Sequence, residues 1–340
     1  MRPREVALAL CVVLLWGGSF TVIKLGLQDV PPMLLGALRY LLSAFPALLW
    51  FARPRVPWRW WLAYGFSVGV GQFALLFWAV RLGLPAGVAS VALQTQAFFT
   101  MLFAAAFLGE ALRPAMVSGL LIAAAALALL VQPALSGSAA ISPWAHVLVL
   151  GAAACWAASN IVLRKAARAT PGFDMMAFIV WTSLIPPLPF ALLSWATGER
   201  VAWHGAWPQL SGLAWASVLY LAVGGTLLGN GIFSWLLTRY PAGRIASFTL
   251  LVPVAGLGIA VLGTGETLST TQWLACGLVV LGLVVSVGPR GVFRGVAAAA
   301  PRTPTTRHGP TSLPHASLPC SRPSPNPSPS PSASCSPRCR

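Results

Sequence analysis

Long apolar stretches, separated by short polar clusters, dominate the first 288 residues. A hydrocarbon core of about 30 Å needs about 20 apolar residues per helix. Ten stretches have that character: 6–27, 32–51, 60–81, 86–109, 112–132, 144–166, 175–196, 211–237, 242–264 and 270–288. The breaks carry turn chemistry, as at 29–32, 53–57, 133–143 and 197–208. The first stretch is not a cleaved signal: it runs too long, lacks an A-x-A exit and leads straight into a second span. The pattern stops at residue 288. The segment 289–340 is rich in Pro, Ser and Arg, with a low-complexity run over 324–332, and cannot bury enough apolar surface to offset its ordering entropy. The expected fold is an all-α polytopic membrane protein with a disordered C-terminal tail.

Composition narrows this further. Hydrophobic residues make up 57% of the 340 and charged residues 8%, against about 25% charged in soluble domains. Six acids cannot solvate several globular domains. The 22 Lys and Arg leave a net charge of +16, and in a membrane protein such an excess marks cytoplasmic loops rather than nucleic-acid binding. With the N-terminus inside, the inner side holds Arg2, Arg4, Arg53, Arg55, Arg59, Arg113, Arg164, Lys165, Arg168, Arg239 and Arg244, and, after the last span, Arg290 and Arg294. The outer side, or positions buried near it, holds only Lys24, Arg39, Arg81 and Arg200. Both termini are therefore expected in the cytoplasm, with the protein in a bacterial inner membrane. The six cysteines form no framework: Cys11, Cys155 and Cys276 lie in apolar stretches, and Cys320, Cys335 and Cys339 in the tail. None pairs with histidine at metal-ligand spacing, so neither a metal nor another cofactor is expected.

Self-comparison reveals a repeat. The stretch 77–110 aligns with 233–266 at an offset of 156, with Pro85-Ala86-Gly87 on Pro241-Ala242-Gly243 and Glu110 on Glu266. Nearer the N-terminus, Trp16 to Lys24 aligns with Trp156 to Arg164 at an offset of 140. The chain thus divides into a five-helix unit over 1–135, a second over 140–288, and the tail 289–340. An odd number of spans per unit inverts the second relative to the first. Inverted repeats are an architecture of alternating-access transporters, with the substrate at the repeat interface. Plain duplication in a structural membrane protein would leave the same trace.

At these residues the sequence resembles the drug/metabolite transporter superfamily, EamA type. The resemblance rests on Trp16-Gly17, Pro85-Ala86-Gly87, and Leu108-Gly109-Glu110 with its counterpart Glu266, and it covers residues 1–288. It is closer to the O-acetylserine/cysteine exporter branch through Val22-Ile23-Lys24, Met33 to Arg39, Ala52-Arg53-Pro54, Pro85 to Thr100 and Leu250 to Val254. Ala97 departs from it, standing where the family often has proline; its repeat mate Pro253 keeps the proline. The resemblance implies export of cysteine and O-acetylserine, with other amino acids, nucleobases or drugs as rival cargoes.

Polar groups inside spans are costly and mark candidate function. Trp16, Phe20 and Lys24 form a stripe with Ser19 beside it; Trp156, Asn160 and Arg164 form the matching stripe. Such surfaces suit a cavity for a small amphipathic solute, although each Trp could also pack between helices with its N–H satisfied. Gln72, Gln94 and Gln96 offer amide donors and acceptors suited to a zwitterion. Gln94 and Gln96 lie about 200° apart on an α-helix, so only one is expected to face the cavity and the other to bond between helices. Asn230 continues a polar stripe from Thr226 to Ser234. Arg39 and Lys24 could each hold a substrate carboxylate or snorkel to the outer edge. Glu110 and Glu266 read as structural acids at helix ends. No catalytic cluster is visible, so an enzyme is not expected; a membrane assembly subunit is the alternative from another class. The expected partners are a small-molecule substrate and the lipid bilayer, with a homodimer left open.

Overall fold

The computed structural model describes residues 1–45, 47–112, 114–135, 142–199, 210–240, 245, 248–249 and 251–287; the predicted tail lies outside them. Among the described residues there is no strand. Seven helical runs are long and apolar enough to cross a membrane, and three further helices hold shorter apolar stretches, Pro114–Leu130, Val252–Thr264 and Thr270–Ser286. In chain order the runs are α1 (Pro3–Asp29), α2 (Pro32–Leu49), α3 (Trp58–Arg81), α4 (Ala86–Leu108), α5 (Pro114–Leu135), α6 (Pro143–Ala169), α7 (Met175–Ala196), α8 (Gly212–Leu236), α9 (Val252–Thr264) and α10 (Thr270–Val287).

Proline opens many of these helices. It stands at the first turn of α1, α2 and α6, and just before α3 and α4, where a missing N–H costs no helical hydrogen bond. Elsewhere side chains cap: Asp174 accepts from the N–H groups of Met176 at 2.9 Å and Ala177 at 3.0 Å, and Ser211 accepts from Ala214 at 3.1 Å. Gly109 and Gly265 end α4 and α9 in the left-handed region, at φ 67° and 62°.

Several runs are not continuous α-helices. α2 ends its α-helical part at Ala44 and closes with a 3-10 turn over Ala47–Leu49. α4 is interrupted by a 3-10 turn over Leu93–Thr95. α7 breaks between Thr182 and Pro187, where consecutive prolines remove backbone donors. Both α3 and α8 contain a π-helical stretch, Gly65–Gln72 and Tyr220–Leu228.

Packing joins the two halves of the chain throughout. α1 lies on α8 and α9, α6 lies on α3 and α4, α2 pairs with α7, and α5 pairs with α10. The α5–α10 crossing is tight enough that a Cβ on Gly119 would sit 2.5 Å from the Gly282 carbonyl oxygen. Small residues of this kind let helix backbones meet where lipid offers no hydrophobic drive for association. Large apolar side chains face outward, including Leu14, Leu121, Leu192, Leu262 and Leu274. Exposed Trp50, Trp58, Trp144 and Trp195 stand near helix ends, as expected for aromatic anchors at a membrane interface.

Candidate functional site

The helices leave a central cavity of about 330 Å³. That is near the lower end of the 300–1,000 Å³ range of small-molecule pockets. Trp16 and Ser19 of α1, Arg39 of α2, Gln72 of α3, Gln94 and Gln96 of α4, Trp156 and Asn160 of α6, and Asn230 of α8 all lie on its wall. Lys24 does not line it.

The π-helical stretch of α8 turns polar backbone and side chains toward this space. Its Gly225 carbonyl accepts the Trp16 indole N–H at 3.0 Å. A Cβ on Gly229 would come within 2.4 Å of that indole nitrogen, so the glycine makes room for the ring. Trp16 also meets Phe233, with ring centroids 5.1 Å apart. Asn230 donates through Nδ2 to the Thr226 carbonyl at 2.7 Å, and Thr226 donates its hydroxyl to the Leu221 carbonyl at 3.0 Å. Irregular backbone at membrane depth is tolerated where groups of this kind satisfy it or where it borders a cavity. Gln72 closes the π-helical stretch of α3; it is buried, and its Oε1 has no partner.

Gln94 and Gln96 both reach the wall, contrary to the helical-wheel expectation. The 3-10 turn between them advances about 120° per residue instead of 100°, which brings the two side chains closer in azimuth. Gln94 also donates across to the Thr249 carbonyl at 3.4 Å. Gln96 accepts from Asn160 Nδ2 at 2.9 Å, and Thr100 supplies a second acceptor to the same nitrogen at 3.1 Å. This amide pair ties α4 to α6 at the cavity wall.

Arg39 is buried rather than turned to the outer edge. Its Nη2 donates to Thr226 Oγ1 at 3.2 Å, and the guanidinium carbon lies 3.8 Å from the Phe73 ring centroid. None of the six acids is on the wall. Asp29 bonds Ser211, Glu5 bonds Tyr240, Asp174 caps α7, and Glu199 bonds Ser194.

The remaining two acids stand at opposite ends of α4. At its start, Glu266 pairs with Lys24 at 2.5 Å and accepts from the N–H groups of Ala86 at 2.9 Å and Gly87 at 3.0 Å. The carboxylate thus meets both a cation and the positive end of a helix dipole. Burial raises the Glu266 pKa, but the hydrogen bonds from Lys24, Gly87 and Ala86 and the Lys24 charge outweigh it and hold the carboxyl below its ordinary value. Past the other end of α4, Glu110 pairs with Arg164 at 3.2 Å. Glu266 is 6% exposed, whereas Glu110 and Arg164 are 47% and 46% exposed.

Tyr40, Tyr64, Phe73, Thr182 and Ser183 complete part of the wall and were not singled out from the sequence. Thr182 and Ser183 carried a readable signal, being adjacent hydroxyls just before Pro186 and Pro187. They return hydrogen bonds to the Phe178 and Ile179 carbonyls. Tyr64 and Phe73 flank the π-helical stretch and carried no such signal. Among the described residues the cavity wall offers amides, hydroxyls, aromatic faces and one cation, Arg39. Among the described residues no group of three His, Cys, Asp or Glu could hold a metal.

The EamA-like transporter family matches the sequence twice, over residues 3–132 and 143–288. The chain belongs to that family. It is a multi-pass membrane transporter, not an enzyme. A relative from Salmonella typhimurium LT2, named a probable amino-acid metabolite efflux pump, is 41% identical over 84% of this chain and 96% of its own length. One of the same name from Escherichia coli K12 is 38% identical over the same shares. An uncharacterized inner membrane transporter of Escherichia coli K12, YedA, is 28% identical over 85% of this chain and 92% of its own. One solved crystal structure superposes with a TM-score of 0.56 at 21% identity, over 88% of this chain and 100% of that one. This last likeness speaks for a shared fold alone.

Proposed function

We propose that the protein exports small amino-acid metabolites, cysteine and O-acetylserine among them, across a bacterial inner membrane by alternating access. The observation that carries the reading is the central cavity, whose wall draws polar groups from both halves of the chain. Its modest volume suits a small zwitterion better than a bulky hydrophobic drug. The names of the two relatives above 35% identity point to the same class of cargo.

The two halves act as inverted five-helix units, 1–135 and 140–288. Several paired features support this. The π-helical stretches, the left-handed glycines Gly109 and Gly265, and the ion pairs each recur at corresponding positions. Lys24 of the first unit holds Glu266 of the second, and Arg164 of the second holds Glu110 of the first. α4 has 23 residues, or about 34 Å, so the two pairs stand about one hydrocarbon thickness apart. The pair with the buried carboxylate closes one end of the pathway, and the half-exposed pair loosens the other. Trp16, Ser19, Gln72, Gln94, Gln96, Trp156, Asn160 and Asn230 contact the cargo. Both termini are cytoplasmic.

The test is counterflow of radiolabelled cysteine and O-acetylserine in proteoliposomes, with and without a pH gradient. Saturable transport of either supports the reading. Transport of hydrophobic dyes with no movement of either amino acid would replace it with drug efflux.

A further inference from the structure

Arg39 is a buried cation without a counter-ion. A guanidinium offers five N–H donors and stays charged at any accessible pH. Thr226 takes one donor, while Nε and Nη1, which carry three between them, have no partner. The charge rests against the Phe73 ring, with Tyr40 farther off at 5.4 Å. An aromatic face is a weaker partner for a cation than a carboxylate that also accepts hydrogen bonds. All six acids of the chain are engaged away from the cavity wall, so no Asp or Glu side chain is left to neutralise it.

The geometry points to Arg39 as the docking group for the carboxylate of the transported solute, so that the cavity takes small amino acids and rejects the corresponding amines. This rests on the exporter reading for the size and class of the solute. In this state packing closes over Nε and Nη1, so the guanidinium must turn from the Phe73 ring as the carboxylate arrives. The rest of the wall suits the other end of a zwitterion. Gln72 Oε1 is a buried acceptor without a partner, and the Trp16 ring also lines the cavity, an aromatic group of the kind that attracts an ammonium. An amine lacking the carboxylate would bring a second positive charge beside Arg39 with nothing to offset it. Specificity would then come from a group left unpaired by the wrong ligand as much as from attraction to the right one. Because Arg39 belongs to α2 and Thr226 to α8, a bound carboxylate would also bear on the link between the two halves.

The test uses the full-length protein in proteoliposomes, with radiolabelled L-cysteine under reductant as the transported probe. Unlabelled L-cysteine and cysteamine, which differ by the carboxylate, serve as competitors. Wild type should prefer L-cysteine by at least about tenfold, the scale of one hydrogen-bonded charge. In Arg39→Gln the ratio should fall toward one, and in Arg39→Lys it should be partly retained. Equal competition in wild type overturns the assignment without any variant, as does full discrimination in Arg39→Gln. If wild type moves no cysteine, thermal stabilisation of the purified protein by other amino acids is compared with that by their decarboxylated amines. Stabilisation by the acids alone, lost in Arg39→Gln, would keep the anchor while removing the cysteine reading. Its absence for every acid would remove the anchor. Exchanging chloride for the bulky isethionate ion distinguishes the anion sources. Arg39-dependent stabilisation by chloride, with nothing added by amino acids, would assign the site to an inorganic anion and overturn the carboxylate.

Discussion

Replacing Glu266 by Gln removes the charge that joins the end of α1 to the start of α4, while keeping nearly the same shape. The carboxylate accepts three hydrogen bonds, from Lys24 Nζ and the N–H groups of Ala86 and Gly87. A glutamine has one amide oxygen and can keep the bond to one backbone N–H. It loses the ion pair and turns an amide donor toward groups that are already donors. Removing one partner of a buried pair costs about 3–5 kcal/mol. Lys24 is 37% exposed and regains water, which lowers that figure to about 2 kcal/mol, nearer one hydrogen bond to a charged group. Thermal unfolding of purified protein in mild detergent should register this as a fall of about 4–8 °C, at about 2–4 °C per kcal/mol for a large domain. Glu110→Gln is the internal comparison. Its pair with Arg164 is half-exposed, and pairs of that kind contribute about 0–1 kcal/mol. Its melting temperature should move by less than about 4 °C, and by less than in Glu266→Gln. Equal shifts, or a larger one for Glu110→Gln, would refute the reasoning that burial and helix capping set the two pairs apart.

Three further outcomes follow. Gly119→Leu should strongly reduce folded protein, because even its Cβ would meet the Gly282 backbone at 2.5 Å, whereas Gly277→Ala, with open space around it, should express normally; membrane protein level by immunoblot checks both. Gln96→Leu removes one acceptor for Asn160 and should weaken apparent affinity about 2- to 13-fold, for a loss of about 0.5–1.5 kcal/mol, in initial-rate transport normalised to protein level. Because the Glu266 pKa is lowered on folding, its contribution is complete above the ordinary value of 4.5 and is lost as pH falls through the lowered value. Melting temperature against pH should show that acid-side loss in wild type and lack that part of it in Glu266→Gln.

The cavity was legible in outline because polar residues in apolar helices stand out against their background. Trp16, Gln72, Asn160 and Asn230 could be picked from composition and spacing alone. Placing both Gln94 and Gln96 on the wall required knowing that the helix tightens between them, which no residue there announces. Arg39 could be read two ways, since a snorkelling arginine and a buried one look alike in sequence; only the surrounding Thr226 and Phe73 distinguish them. Lys24 was misleading for a different reason. It sits on the same stripe as Trp16, yet about two turns farther along it reaches Glu266, a residue more than two hundred positions away. The repeat offsets held a clue to that pairing, because they match Lys24 with Arg164 and Glu110 with Glu266.

The π-helical stretches set an unusual rule for length changes. Such a segment arises where a helix accommodates more residues than its α-helical hydrogen-bond ladder would hold. Deleting one residue from Gly65–Gln72 would therefore allow a more regular ladder in α3, a change that ordinarily favours a helix. Eight π-helical residues turn the chain through about the same angle as seven α-helical ones, so the helix on either side of the deletion would keep its faces. Tyr64 and Gln72 would still share the cavity wall, and what would be lost is the wide turn between them. The same holds for Tyr220–Leu228, whose irregular backbone receives the Trp16 indole. In both helices a chain one residue shorter would fold as a more regular helix with its flanking faces unchanged, so single-residue alignment gaps at these two places would mark proteins that have given up the wide turn and its backbone contacts while keeping the rest of the lining.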